Sequence, residues 1–162
     1  FQDFSSDLIR IGSTCGIAIV FVPNISKVPV CGAARWASPN KAIIQLSLRH
    51  KSDDHFWFTF FHEVAHILLH KKKDIFVDLS ETGANDSPEE IEANRFSEDT
   101  LIPAKELEYW LTGRSEFKRE DVVSFASMLG ISPGLVVGRL QHLKMIGYSV
   151  FNDLKTRYAM SE

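Results

Sequence analysis

Two histidines and a glutamate in the middle of the chain have the spacing of a metal site. They stand in the order His62-Glu63-Val64-Ala65-His66, an HExxH motif. On a helix, residues four apart lie on one face, so both imidazoles could reach a single ion. The carboxylate of Glu63 would then lie where it could take a proton from a water that the metal activates. The spacing predicts a zinc site with His62 and His66 as ligands and Glu63 as the catalytic base.

A catalytic zinc needs a third protein ligand and one open position. The acidic segment that follows Ser87 is the nearest source of a carboxylate. Glu90 and Asn94 share a helix face, so Glu90 could bind the ion while Asn94 hydrogen-bonds a ligand histidine. The small side chain of Ala93 would let the two helices approach closely. Glu90 also stands three residues after Ser87, where the glutamate of a capping box belongs.

Other side chains near these motifs compete for the same roles. Glu89 and Glu92 are rival third ligands, although we expect Glu92 to pair with Arg95 on the outer face of its helix. Glu90 is the favoured ligand. His70 continues the line of His62 and His66, and we expect it to lie near the site but beyond reach of the same ion.

The spacing of apolar residues and the positions of turn residues predict which elements hold the site. Asp53 and Asp54 can cap the helix that carries HExxH. Residues 38–40 are predicted to form a hairpin turn, and residues 74–87 a loop. The predicted elements are a helix over 1–14, strands over 16–22, 30–37 and 41–48, and helices over 53–70, 87–102, 104–112, 118–129 and 133–145.

These elements predict an α+β fold, with a small sheet of about three strands packed on the HExxH helix and a helical C-terminal half. The 162 residues suit a single domain, with the sheet and the zinc-site helices in about 1–102 and a helical subdomain in about 103–162. The formal net charge of -3 argues against a surface dedicated to nucleic acid.

Composition also bears on the cellular compartment. Cys15 and Cys31 form neither a CxxC site nor a disulfide framework, and we expect two reduced, largely buried thiols. The apolar run over 17–22 is too short to cross a bilayer, and no secretory signal precedes it. These features predict a cytoplasmic protein with no membrane contact.

With both motifs in view, the chain resembles the ImmA/IrrE family of zinc metallopeptidase-like proteins. The resemblance rests on residues 56–70, which contain HExxH, then on residues 90–97 (Glu-Ile-Glu-Ala-Asn-Arg-Phe-Ser) and on Leu101-Ile-Pro103. It spans roughly 30 to 145. Ser97 stands where the family pattern has alanine, a small-for-small change.

The resemblance implies a function and a set of site residues. It implies that His62, His66 and Glu90 bind zinc and that Glu63 is the catalytic base. Members of this family resemble gluzincin-type peptidases and typically cleave DNA-binding repressors. Others form the C-terminal part of longer regulators that carry an N-terminal helix-turn-helix, including antitoxin-like proteins. The first residue, Phe1 rather than Met, is compatible with that arrangement.

Two further functions compete with cleavage of a protein regulator. A regulatory or sensor domain could keep the metal-site scaffold and cut nothing, but Glu63 favours the enzyme because a scaffold needs no base. The segment from Phe125 through Gly130 to Leu140 also has the pattern of a helix-turn-helix. We expect its second helix to pack or to dock a partner, because its apolar residues outnumber the side chains that could read DNA.

Overall fold

In the computed structural model, the chain adopts an α+β fold, as the sequence predicts. The structure describes residues 2–23, 31–47, 49–70, 75–77 and 87–159. The helices within these ranges are α1 (Gln2–Thr14), α2 (Asp53–Leu69), α3 (Pro88–Leu101), α4 (Ala104–Leu111), α5 (Arg119–Leu129) and α6 (Pro133–His142), followed by a 3-10 turn over Asn152–Leu154.

The sheet contains the three predicted strands and a short fourth one. The strands are β1 (Ile17–Val22), β2 (Gly32–Ser38), β3 (Lys41–Ser47) and β4 (Ile75–Val77), in the spatial order β1-β3-β2-β4. β2 and β3 form the predicted antiparallel hairpin, and β4 adds an antiparallel edge to β2. β1 pairs with β3 in parallel, so the sheet is mixed.

Most predicted boundaries agree with the structure to within two residues. The segment 75–77 is one exception, because we expected a loop and it forms β4. Three residues are too few to show a strand period, so only pairing with β2 reveals this strand. α6 ends at His142, three residues earlier than predicted. Residues 30, 48, 74 and 78–86, which belong to predicted strands and to the predicted loop, lie outside the described residues.

α2 is the central helix of the molecule. It follows Ser52 at the N-cap position and contains neither proline nor glycine, and Asp53 and Asp54 in its first turn suit the positive end of the helix dipole. One face packs on the sheet, and the helix also contacts α3 and α6. The buried apolar residues of this first core are Ile19, Ala34, Ala42, Ile44, Leu46, Phe56, Phe60 and Ile67.

A second apolar core holds the C-terminal helices together. The ring of Trp110 in α4 stacks on that of Phe125 in α5, with 4.2 Å between the ring centroids. The buried residues of this core are Ile102, Leu107, Val122, Phe125, Ala126, Val136, Val137 and Leu140. This arrangement matches the predicted helical C-terminal half.

The C-terminal segment closes back onto the start of α2. Thr156 accepts a hydrogen bond from the backbone N–H of Asp53, and the ammonium of Lys155 lies 2.6 Å from Asp54 Oδ2. The hydroxyl of Ser132, at the start of α6, donates to Asp53 Oδ2. The two aspartates that we predicted as helix caps therefore anchor the C-terminal half, while Ser52 takes the N-cap position.

The two cysteines differ in exposure. Cys31 is buried, as predicted, but Cys15 is exposed, because the turn that holds it follows α1 at the surface. Within the part of the chain that the structure describes, no single helix has both the length and the apolar composition to cross a bilayer; α5 and α6 meet those criteria only together, as a pair bent by 115°.

Candidate metal centre

The two motif histidines project side by side from α2. His62 and His66 are four residues apart on the helix, and their Nε2 atoms lie 3.0 Å from each other. The residues are 3% and 2% exposed, so both imidazoles are withdrawn from solvent. The helical spacing that predicted a shared site thus brings one nitrogen of each ring to a common point.

Glu90, in the first turn of α3, completes a cluster of three. Its Oε2 lies 3.1 Å from His62 Nε2, and its Oε1 lies 3.4 Å from His66 Nε2. The potential ligand atoms of the three residues all lie within 4.8 Å of one another, and all three residues are buried. Two imidazoles and a carboxylate in this arrangement could hold one metal ion.

The capping of α3 explains why the carboxylate of Glu90 can face the two histidines. Ser87 caps the helix, since its hydroxyl oxygen accepts a hydrogen bond from the backbone N–H of Glu90, and Pro88 occupies the first turn. The carboxylate of Glu90, which could have completed a capping box, lies at the two histidines instead.

Glu92, the rival ligand, has a different neighbour from the one we predicted. Its Oε2 lies 3.2 Å from His70 Nε2, while Arg95 forms an ion pair with Asp99, with 3.9 Å between Nε and Oδ2. The expected pair of Glu92 with Arg95 is therefore wrong. The helical spacing allowed that pair, but α3 crosses α2 so that Glu92 faces the end of α2.

Two small residues of α3 allow the helices to approach. Ala93 is fully buried between them, as predicted. Ser97, also fully buried, donates a hydrogen bond from its hydroxyl to the carbonyl oxygen of Phe58 in α2, at 2.8 Å. Sequence reasoning treated Ser97 as a neutral replacement for alanine and missed this bond between the helices.

The ring of His62 is held by Asn94. The amide oxygen Oδ1 of Asn94 lies 2.9 Å from His62 Nδ1, the contact that the spacing of Glu90 and Asn94 predicted. An amide oxygen only accepts, so it favours the tautomer of His62 with hydrogen on Nδ1. The lone pair of that tautomer is on Nε2, which faces Glu90 and His66.

Burial keeps both imidazoles neutral. It lowers the pKa of His62 in spite of the attraction of the Glu90 carboxylate. Burial, together with the nearby His62 and His70, lowers the pKa of His66 to about 3. At neutral pH both rings are therefore unprotonated, the only form in which imidazole binds a metal.

The side chain of Glu63 lies against Gly32 of β2. The side chain is fully buried, and a Cβ atom placed on Gly32 would be 2.5 Å from Glu63 Oε1. Any side chain at position 32 would displace this carboxylate. A small cleft lined in part by Cys31, His55 and Thr59 runs along the same side of α2, one turn before Glu63. Sequence reasoning gave no role to Gly32, because the approach depends on the packing of β2.

The segment predicted to be a helix-turn-helix does consist of two helices joined by a turn. α5 and α6 are bent by 115° about Gly130, whose φ of 68° favours glycine. Two polar side chains of α6 that could read DNA are bonded within the protein, however. The guanidinium of Arg139 forms an ion pair with Glu98 of α3, and the amide of Gln141, a 3% exposed residue, donates to the carbonyl oxygens of Tyr148 and Val150.

Comparison with known proteins bears directly on this geometry. Residues 32–141 match the family Peptidase_M78, described as an IrrE N-terminal-like domain. The matched range covers β2 to α6 and contains every residue of the cluster. The search of curated proteins gave no significant match. The family match confirms the resemblance that the two motifs predicted: this chain belongs to the Peptidase_M78 family.

Proposed function

We propose that this protein is a gluzincin-like zinc endopeptidase that cleaves a protein regulator, such as a DNA-binding repressor, in the cytoplasm. One observation carries the proposal. His62, His66 and Glu90 converge in a buried cluster, and a buried glutamate stands next to His62 in the sequence. Membership of a peptidase family supports the same chemistry.

The dimensions of the cluster are close to those of a zinc site. Two ligand atoms that each lie about 2.0–2.2 Å from one tetrahedral zinc are about 3.3–3.6 Å apart. The separations between the nitrogens of His62 and His66 and the oxygens of Glu90 are 3.0, 3.1 and 3.4 Å. Two nitrogens and one oxygen are also the ligand set of two-histidine, one-glutamate zinc peptidases.

Each residue then has a role in peptide hydrolysis. His62, His66 and Glu90 hold the metal. Zinc, when bound, would polarise the scissile carbonyl and lower the pKa of the attacking water. Glu63 would take a proton from that water as the water oxygen bonds to the carbonyl carbon, and would donate the proton to the leaving amine as the C–N bond breaks. Burial of Glu63 keeps bulk water from competing for this proton.

A protein regulator as substrate is the expectation that the ImmA/IrrE resemblance carries. Zinc peptidase chemistry acts on any peptide carbonyl that reaches the metal, so the choice of a protein regulator comes from the resemblance alone.

The proposal is tested by peptide cleavage with a matched base variant. The zinc-loaded protein and Glu63→Gln are each incubated with a proteome-derived peptide library, and new N-termini are identified by mass spectrometry. We expect cleavage by the wild type that a chelator stops and zinc restores. Glu63→Gln should retain zinc and lose cleavage by about a hundredfold or more, since the amide cannot accept the proton.

The same experiment distinguishes a peptidase from the second candidate function, a regulatory domain that does not cleave. Cleavage that is undiminished in Glu63→Gln would contradict the assigned base. A zinc-loaded wild type that cleaves neither the library nor purified repressors would overturn the peptidase proposal, and would favour a regulatory domain that keeps the site and cuts nothing.

A further inference from the structure

A line of contacts leads away from His66 on the side opposite the metal cluster. His66 Nδ1 lies 2.8 Å from His70 Nδ1, and His70 Nε2 lies 3.2 Å from Glu92 Oε2. The three residues come from two elements, with His66 in α2, His70 directly after α2, and Glu92 in α3. None of these contacts was predicted from the sequence, which placed His70 near the site and gave it no role.

The chemistry of imidazole fixes the direction of these bonds. A histidine that binds a metal through Nε2 carries its hydrogen on Nδ1. The Nδ1–H of His66 therefore donates to His70 Nδ1. Because His70 accepts at Nδ1, its ring hydrogen is on Nε2, where it donates to the carboxylate of Glu92. A single set of tautomers thus satisfies the whole line.

We propose that His70 and Glu92 position His66 as a metal ligand: Glu92 orients His70, and His70 holds the ring and the tautomer of His66. The inference rests on the proposed function, because it assumes that His66 binds zinc. It makes His70 and Glu92 positioning residues, since neither offers an atom to the cluster of ligand atoms.

Burial distinguishes this arrangement from an incidental contact at a helix end. The side chain of His70 is 4% exposed, whereas that of Glu92 is 60% exposed. A buried imidazole needs partners for its polar atoms, and His70 has one at each nitrogen. The carboxylate of Glu92 reaches this ring from the solvent side of α3, so it can be removed without opening the core.

The two ligand histidines are then supported from different elements. Asn94 of α3 holds His62, and His70, at the end of α2, holds His66. A neutral amide supports the first ring, while a line that ends in a carboxylate supports the second. Such a line raises the basicity of the ligand nitrogen, and loss of such partners typically weakens metal binding by about 10–100-fold.

The test is zinc affinity, measured by competition with a chromophoric chelator, in four variants of the full chain. Glu92→Gln keeps the shape and weakens the acceptor, and His70→Phe removes both polar atoms of the ring. His70→Asn retains an oxygen near the position of Nδ1, so it should rescue part of the effect. Asp99→Asn, about two turns further along α3, is the control for loss of one acidic charge.

We expect about tenfold weaker zinc binding in Glu92→Gln, a larger loss in His70→Phe and a smaller one in His70→Asn, and no change in Asp99→Asn. A second readout needs no metal. The ¹⁵N chemical shifts of the His66 ring in the metal-free protein report which nitrogen carries the hydrogen, and the share of the Nδ1–H tautomer should be lower in His70→Phe than in the wild type. A role limited to stabilising the fold would leave these shifts and the affinity unchanged.

The outcomes separate this inference from the function on which it rests. Wild-type protein that binds no zinc would overturn both. Wild-type protein that binds zinc, together with Glu92→Gln and His70→Phe variants that match its affinity, would overturn the positioning role alone. Because Glu92 is exposed, Glu92→Gln gives a result even if His70→Phe does not fold.

Discussion

Glu63 and Gly32 show how closely one residue can depend on another in this site. The carboxylate of Glu63 lies against the backbone of β2, and the absence of a side chain at position 32 makes the room. The orientation of the catalytic base that we propose is therefore set partly by a residue that takes no part in the chemistry.

We predict that Gly32→Ala lowers peptide cleavage by at least about tenfold while zinc content stays at the wild-type value. The added methyl group would overlap Glu63 Oε1 and turn the carboxylate away, and catalysis is sensitive to displacements of this size. Cleavage rate and zinc content are measured on the same samples. Ser38→Ala, at the exposed end of β2, is the control, and equal losses in both variants would refute the argument.

The convergence of His62 and His66 was predictable at this scale because it depends on local spacing along one helix. The same motif gave the prediction that Glu63 is the base. Glu90 was favoured from its spacing with Asn94 in the acidic segment, and the family resemblance implied the same ligand. The link from His70 to Glu92 could not be predicted, because it depends on where α3 crosses the end of α2. The spacing of four between His66 and His70 was the one signal that hinted at it.

At the scale of elements, the packing of α3 on α2 sets the geometry of the cluster. Glu90 is carried by α3 and both histidines by α2, so any shift between these helices separates the ligands. Ala93 and Ser97 are fully buried at this interface.

We predict that Ser97→Ala lowers the free energy of unfolding by about 1 kcal/mol, because Phe58 then loses the side-chain donor to its carbonyl oxygen. Urea denaturation of the metal-free protein measures the change. Ser124→Ala, an exposed serine of α5, should differ from wild type by much less. A Ser97→Ala variant as stable as the wild type would show that the bond between the helices is dispensable.

The ion pair between Asp54 and Lys155 should give stability a dependence on acid pH. Burial alone would raise the pKa of Asp54, but hydrogen bonds, led by that from Lys155, outweigh it and hold the pKa below the ordinary 3.8. A lowered folded-state pKa stabilises the native protein fully above the ordinary value, and this contribution is lost as the pH falls below it.

Lys155→Met is therefore predicted to lower the free energy of unfolding by about 3 kcal/mol at neutral pH, since it leaves Asp54 buried without the cation. The difference from wild type should shrink as the pH falls below 3.8. Urea denaturation over a pH series measures both effects. Lys105→Met, at an exposed lysine of α4, provides the comparison. A difference that stays constant down to the lowest pH would contradict the role of Asp54.

The elements themselves were largely predictable, but of the strand pairings only the hairpin of β2 and β3 was. Apolar periodicity and capping residues located the helices and the first three strands. β4 escaped prediction because three residues are recognisable as a strand only beside β2. The parallel pairing of β1 with β3 likewise depends on the path of the chain after β1, which no local pattern encodes.

For the whole molecule, the question is which surface meets a partner. The bent pair of α5 and α6 has the outline of a DNA-reading unit, but Arg139 and Gln141 of α6 are already bonded within the protein. The sequence pattern predicted the bend correctly. It could not reveal that Glu98, from α3, forms an ion pair with Arg139.

We predict that this chain is not retained on duplex DNA near physiological ionic strength. Its formal net charge is -3, and the α6 side chains best suited to base edges are engaged elsewhere. Retention is measured on immobilised duplex over a salt series. Salt-sensitive retention that is weakened by Lys144→Ala would contradict this prediction, since Lys144 is exposed beside α6.

The central claim is that His62, His66 and Glu90 hold one zinc ion, and zinc stoichiometry tests it most directly. Zinc is measured by mass spectrometry in the purified protein, in Glu90→Ala and in Glu92→Ala, after equilibration with excess zinc and removal of the unbound metal. We predict one zinc per chain in the wild type and in Glu92→Ala, and almost none in Glu90→Ala. Full zinc in Glu90→Ala together with loss in Glu92→Ala would contradict the account.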